Sequence, residues 1–162
     1  MSDARRATAD DATGIPPALA AAWRRLQGLP REDRMAAIAH QARKLEPVPE
    51  RFREADPARH VVPECNTRVL LFAECTDGRM HYWAAVDTRQ SPTVAAVCAL
   101  TFAALNDQPP AVTLAVPSTF ASRMMAALGL SARELGIAAL LVRCQRHARA
   151  ALEGSPQPPP IP

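Results

Sequence analysis

Proline placement constrains this chain more than any other feature. The sequence carries 16 prolines in 162 residues. Each one fixes φ and removes a backbone donor, which suits the first turn of a helix but not a helix interior or a central strand. Ile15, Leu19, Trp23 and Leu26 fall on one helical face; Pro16 and Pro17 suit its first turn, and Gly28 and Pro30 stop it. A second helix is expected from about Glu32 to Leu45, with Met35, Ile38, Ala42 and Leu45 as its apolar stripe and Pro47 and Pro49 as its end. Asp56 to Glu64 holds Pro57 and Pro63 and reads as an extended loop.

The interval that follows is the best hairpin in the chain. Arg68 to Glu74 and Met80 to Asp87 are rich in β-branched, aromatic and apolar residues, and they flank an Asp77-Gly78 turn signal. Ser91-Pro92 offers an N-cap followed by proline at the first helical position. The helix it opens runs to about Leu105 and is apolar nearly all round, so it is expected to be buried. Val112, Leu114 and Val116 alternate and suggest a short third strand. A helix from near Ser118 carries Phe120, Met124 and Leu128 and ends at Gly129. The last helix opens on Ser131-Ala132-Arg133-Glu134, a capping-box pattern worth about 1 kcal/mol, and runs to about Leu152. This order favours an α+β fold, a small antiparallel sheet of about three strands packed against helices, over a parallel βαβ array. Residues 1–13 and the proline-rich 154–162 are expected to be disordered, leaving 14–153 as a single domain.

Composition narrows the function. A hydrophobic fraction of 48% supports a real core, and a formal charge of +3 is too small for a nucleic-acid footprint. No segment reads as a targeting leader or a membrane span, so a cytoplasmic protein is expected. Its four cysteines are then free thiols to be judged singly. Neither CxxC nor HxxxH spacing occurs, and no glycine-rich phosphate loop can be written, so no metal site or nucleotide site is expected. Cys98 and Cys144 lie in apolar helices and read as small core hydrophobes. Cys75, at the end of the first strand, reads as packing. A set of Cys65, His81 and Asp87 could be drawn as a triad, although His81 and Asp87 fit ordinary strand-face roles better.

Cys65 differs from the other three. It sits at the tip of a proline-bounded loop, with Arg59 and His60 before it and Asn66, Thr67 and Arg68 after it. A polar, partly cationic loop is a setting in which a thiolate is accessible. Glu64 acts in the opposite sense, because a carboxylate beside a thiol raises its pKa. Glu64, Arg68, Arg59 and His60 are thus candidate modulators of this thiol.

At this segment the chain resembles a known family. His60 to Leu70, HVVPECNTRVL, is similar to the active-site loop of SufE-type sulfur acceptors, which reads approximately V-P-G-C-x-S-x-V-W. Val62, Pro63, Cys65 and Val69 align without gaps. Pro47-Val48-Pro49 resembles the family's L-P-x-L-P stop, and Asp87-Thr88 stands where the family has an Asp-Ser pair. Leu128-Gly129-Leu130, Ser131, Arg133 and Gly136 resemble its closing L-G-L … L-S-P-S-R-x-N-G-L. The chain departs at Glu64 for glycine, Leu70 for tryptophan and Leu135 for asparagine. The resemblance spans about Ile15 to Leu152.

The resemblance implies a fold shared with the IscU-type scaffold and a persulfide carried on Cys65. It implies a SufS-type cysteine desulfurase as donor, stimulated by this protein, and a SufB-type or other iron-sulfur scaffold as acceptor. Asp87 and Arg133 are the implied partner contacts. No cofactor of the protein's own is implied, and the expected state is a monomer or weak homodimer acting as an accessory protein rather than a stand-alone enzyme. Two other readings stay open: a non-catalytic interaction module of the same fold, whose basic face would be Arg143, Arg146, His147 and Arg149, and a redox sensor pairing Cys65 with Cys75.

Overall fold

The computed structural model describes residues 14–154; of the terminal segments expected to be disordered, 1–13 and 155–162 lie outside the described residues. Six helices and one hairpin follow in chain order. They are α1 (Pro17–Gly28), α2 (Arg31–Ala42), β1 (Val69–Thr76), β2 (Arg79–Val86), α3 (Pro92–Leu105), α4 (Pro110–Leu114), α5 (Phe120–Ala127) and α6 (Glu134–Leu152). The arrangement is α+β, as the element order implied.

The hairpin pairs antiparallel from Val69 opposite Val86 to Thr76 opposite Arg79. Asp77 and Gly78 both take positive φ, 51° and 73°, the mirror-image turn whose twist matches two right-twisted strands. One face of the sheet presents Val69, Leu71, Tyr82 and Ala84 to the core. That core is built around α3, whose length from Thr93 to Ala99 is buried without a break. Helix α2 lies along α3, α3 packs on β2, and α6 packs on β1, α4 and α5. The other sheet face is covered by the 43–68 segment, with Phe52 stacked on Phe72 (4.8 Å) and tilted against Trp83 (5.5 Å).

Several local expectations are corrected. Val112 to Val116 is not a third strand: Pro110 at the first helical position starts the short helix α4 instead. Thr113 in that helix is fully buried, with its hydroxyl 2.9 Å from the Tyr82 hydroxyl. The sheet has two strands among the described residues. A rudimentary third rung lies elsewhere, at the bridge between Val61 and Leu70, and Pro63 stops it from extending. The loop 56–64 also contains a 3-10 turn, Pro57–Arg59, capped by Asp56, whose Oδ1 accepts from the Ala58 amide at 3.0 Å. Met35, assigned to the apolar stripe of α2, is half exposed. The Ser131 capping box does not form: Ser131–Arg133 is a 3-10 turn, and α6 starts at Glu134 without a side-chain cap.

Candidate functional site

Cys65 occupies a tight turn between the Val61 bridge and β1. Its amide donates to the Val62 carbonyl at 3.1 Å, and the Val62 amide donates to the Val69 carbonyl at 2.9 Å. The loop therefore folds back on the start of the strand rather than projecting from it. Its far side is tied to α3 by a 2.7 Å hydrogen bond between the Thr67 and Ser91 hydroxyls. Ser91 is at the N-cap position of α3, but its side chain caps nothing there. It serves the loop instead.

The opposite wall is the first turn of α6. A Cβ built on Gly136 would meet the Cys65 Sγ at 2.6 Å and its Cα at 3.0 Å, closer than nonbonded atoms tolerate. Glycine at 136 is what lets the thiol seat against the helix. Between loop and helix lies a cavity of about 540 Å³ bordered by Cys65, Arg68, Val94, Arg133, Leu135 and Gly136. Cys65 itself is half-buried.

The electrostatics of the thiol have two opposed parts. Burial pushes the Cys65 pKa above its ordinary value, and the adjacent Glu64 carboxylate adds to the rise, while the Arg143 guanidinium works against both. Arg143 reaches Glu64 from α6 at 3.2 Å. Glu64 is held below the usual carboxylate range chiefly by a backbone hydrogen bond, against the effect of burial, with Arg143 adding to the lowering.

The residues singled out from sequence divide accordingly. Glu64, Arg68 and Arg133 do come together around Cys65. Arg59 and His60 do not act on it. Arg59 is exposed at the end of the 3-10 turn. The His60 ring is tilted against Phe72 (4.4 Å), with Nδ1 3.1 Å from the Leu71 carbonyl oxygen. The antiparallel run of Val61 beside Leu70 carries both of them away from the thiol. Asp87 structures the turn into α3, its Oδ1 accepting from the amides of Arg89 (2.9 Å) and Gln90 (3.0 Å). It borders a second groove, about 520 Å³, with Leu70 and Ala85 on its floor.

Arg143, a member of the basic face noted on the last helix, lowers the Cys65 pKa against burial and Glu64. That face is partly turned inward: the Arg143 side chain is only 13% exposed. The imidazole of His147, one turn further on, is pushed by burial down to about 4. The only sequence signal for this was the spacing of Arg143 and His147, four residues apart and so on one helical face.

Cys98 and Cys144 are core thiols, as expected; burial pushes Cys98 up to about 12. Cys75, read as packing, is exposed near the hairpin turn, opposite Met80. It lies six residues along the strand from Val69, roughly 20 Å at about 3.4 Å per residue. A Cys65–Cys75 disulfide, which needs Cα atoms within about 7 Å, does not fit this fold. His81 lies at that same far end, bonded to Glu46 at 2.7 Å, so Cys65, His81 and Asp87 form no triad. Among the described residues no group of three or more His, Cys, Asp or Glu side chains is placed to hold a metal ion. No helix among them is long and apolar enough to cross a membrane.

The structure resembles the solution structure of a hypothetical protein from Thermus thermophilus, with a TM-score of 0.69 and 28% identity, covering 86% of this chain and 98% of that one. Two relatives from Mycobacterium tuberculosis are each 31% identical over 124 residues, or 74% of this chain and 83% of theirs. They are the uncharacterized SufE-like proteins Rv3284 of strain H37Rv and MT3383 of strain CDC 1551. The family model for the Fe-S metabolism associated domain matches residues 21–148. Since that match takes in both the Cys65 loop and the Gly136 wall, the chain belongs to the SufE family, whose domain is associated with iron-sulfur metabolism.

Proposed function

We propose that this protein is a cytoplasmic sulfur carrier that takes a persulfide sulfur onto Cys65 from a pyridoxal-phosphate cysteine desulfurase of the SufS type. It stimulates that enzyme and passes the sulfur to an iron-sulfur scaffold of the SufB type. It acts through a single SufE-like domain over residues 14–153, as a monomer or weak homodimer. The observation that carries this reading is the seat of Cys65: a half-buried thiol against a helix glycine, at the edge of a cavity bordered by Arg68 and Arg133. Membership of the SufE family supports it.

The step is a thiol–disulfide exchange. The Cys65 thiolate attacks the outer sulfur of the donor's cysteine persulfide. A new S–S bond forms to Cys65, the donor's own S–S bond breaks, and the donor cysteine leaves as thiolate with the electron pair. The outer sulfur keeps its proton until the product persulfide ionises, and no external oxidant or reductant is consumed. Burial and Glu64 raise the pKa of the resting thiol, which disfavours the thiolate and limits oxidation before a partner arrives. Arg133 and the groove beside Asp87 are the contacts through which a partner would displace the loop.

The test is incubation with a SufS-type desulfurase and cysteine, followed by intact mass spectrometry. Wild type should gain the mass of one sulfur atom and Cys65→Ala should not. An equal gain in both, or none in either, rejects the reading. An interaction module would instead bind the desulfurase equally with or without Cys65 and gain no mass.

A further inference from the structure

Arg143 is held out of water by a single long contact. Its Nη2 donates to the two Glu64 carboxylate oxygens at 3.4 and 3.2 Å. Its Nε is buried with no hydrogen-bond partner. An arginine–carboxylate pair ordinarily closes to about 2.7–2.9 Å, as Arg51 and Glu74 do at 2.8 and 2.7 Å. A guanidinium this enclosed needs more than one loose contact to offset its desolvation. Cys65 lies within the field of both charges. The other ionisable groups around it are Arg68 on its own loop, Arg133 just before α6, and Cys98 on α3.

We propose that Arg143 is the positioning cation for the sulfur carried on Cys65, and that Glu64 occupies its guanidinium only while the thiol is empty. This rests on the persulfide reading given above. A loaded Cys65 is a persulfide, a stronger acid than the thiol and so more readily ionised to the perthiolate, and it is longer by one S–S bond of about 2.05 Å. Charge and reach together let it compete for the guanidinium. Glu64, 35% exposed, can turn to water at little cost. The glutamate beside the nucleophile is therefore a placeholder, and the arginine that sequence assigned to the surface is its true counter-ion.

The experiment needs no desulfurase, so its failure is separable from failure of the donor assignment. In a Cys75→Ser background, which removes the other exposed thiol, Cys65 is first converted to its mixed disulfide with thionitrobenzoate. Hydrosulfide then attacks the Cys65 sulfur and thionitrobenzoate leaves as thiolate, so Cys65 is left as the persulfide. The pH dependence of iodoacetamide alkylation is measured for the empty and loaded forms.

In the empty form, Glu64→Gln should lower the midpoint and raise the rate at pH 7 by about threefold or more, half a pKa unit being about threefold. Arg143→Gln should raise the midpoint, and Arg143→Lys should restore it. In the loaded form the effect of Arg143→Gln should persist and that of Glu64→Gln should vanish. Arg143→Gln faster at every pH with an unmoved midpoint would mean a merely structural role and would overturn the proposal. So would a Glu64→Gln shift of equal size in both forms. If Arg143→Gln does not fold, Arg143→Lys and Glu64→Gln decide by the same criteria.

Discussion

Two arginine–glutamate pairs give the molecule an open end and a closed one. On the outer sheet face, Arg51 meets Glu74 at 2.7 Å with side chains 53% and 36% exposed. Its guanidinium lies 5.0 Å from the Phe52 ring and 5.1 Å from that of Trp83. At the loop end, Arg143 meets Glu64 at 3.2 Å with side chains 13% and 35% exposed. The shorter pair has the better geometry and the smaller consequence, because water can replace either partner. The longer pair bears on the Cys65 thiol with opposed signs, and water cannot easily reach its cation. Bond length ranks contacts; enclosure ranks effects.

That contrast can be broken or sharpened in steps of decreasing size. The largest effect is expected from acid, and at the closed end. His147 titrates near 4 in the fold and near 6.5 when unfolded. The unfolded chain therefore takes up the proton first. Stability is full above pH 6.5 and is lost as pH falls toward 4, by up to about 3 kcal/mol. Denaturant unfolding at pH 7 and pH 4.5 should show a smaller loss for His147→Gln than for wild type. Equal losses would place the acid sensitivity elsewhere.

A smaller effect is expected at Gly136. Alanine there gains about 1 kcal/mol of helix propensity but must intrude on Cys65, and over-packing costs about 1–3 kcal/mol. The net expectation is a loss of about 1 kcal/mol with severalfold faster alkylation of Cys65 as the loop is pushed off. A stabilised variant with unchanged thiol reactivity would show that the loop yields without consequence. The smallest effect belongs to the open end: Arg51→Ala should leave both the melting temperature and the Cys65 alkylation rate unchanged within error. A clear shift in either would erase the distinction between the two ends.

Proline and glycine punctuation made most of this fold readable. The α1, α2, hairpin and α3 segments lie close to where their breakers put them, because those signals act through local backbone sterics. Val112 to Val116 is not a strand because alternation over five residues does not outweigh a proline placed to start a helix. At the site, Cys65 and its near neighbours Glu64 and Arg68 were legible as a loop, and the Gly136 and Arg133 match pointed to the right wall. Arg59 and His60 are close to Cys65 in sequence but not in space, because the Val61 bridge lies between them and the thiol. Arg143 could not be found from the loop at all. It lies on α6, beyond the whole of the core that brings the two together.

The wall behind the sulfur has a further consequence. Helix α6 opens without a side-chain cap, after a 3-10 turn, and places Gly136 in its first turn. A missing cap and a glycine each weaken a helix end by about 1 kcal/mol. The other helices lack side-chain caps as well, so it is the glycine that sets this first turn apart. The close seat of the thiol therefore costs helix propensity in the very turn it rests on, and the loop and the helix start each depend on the other's position.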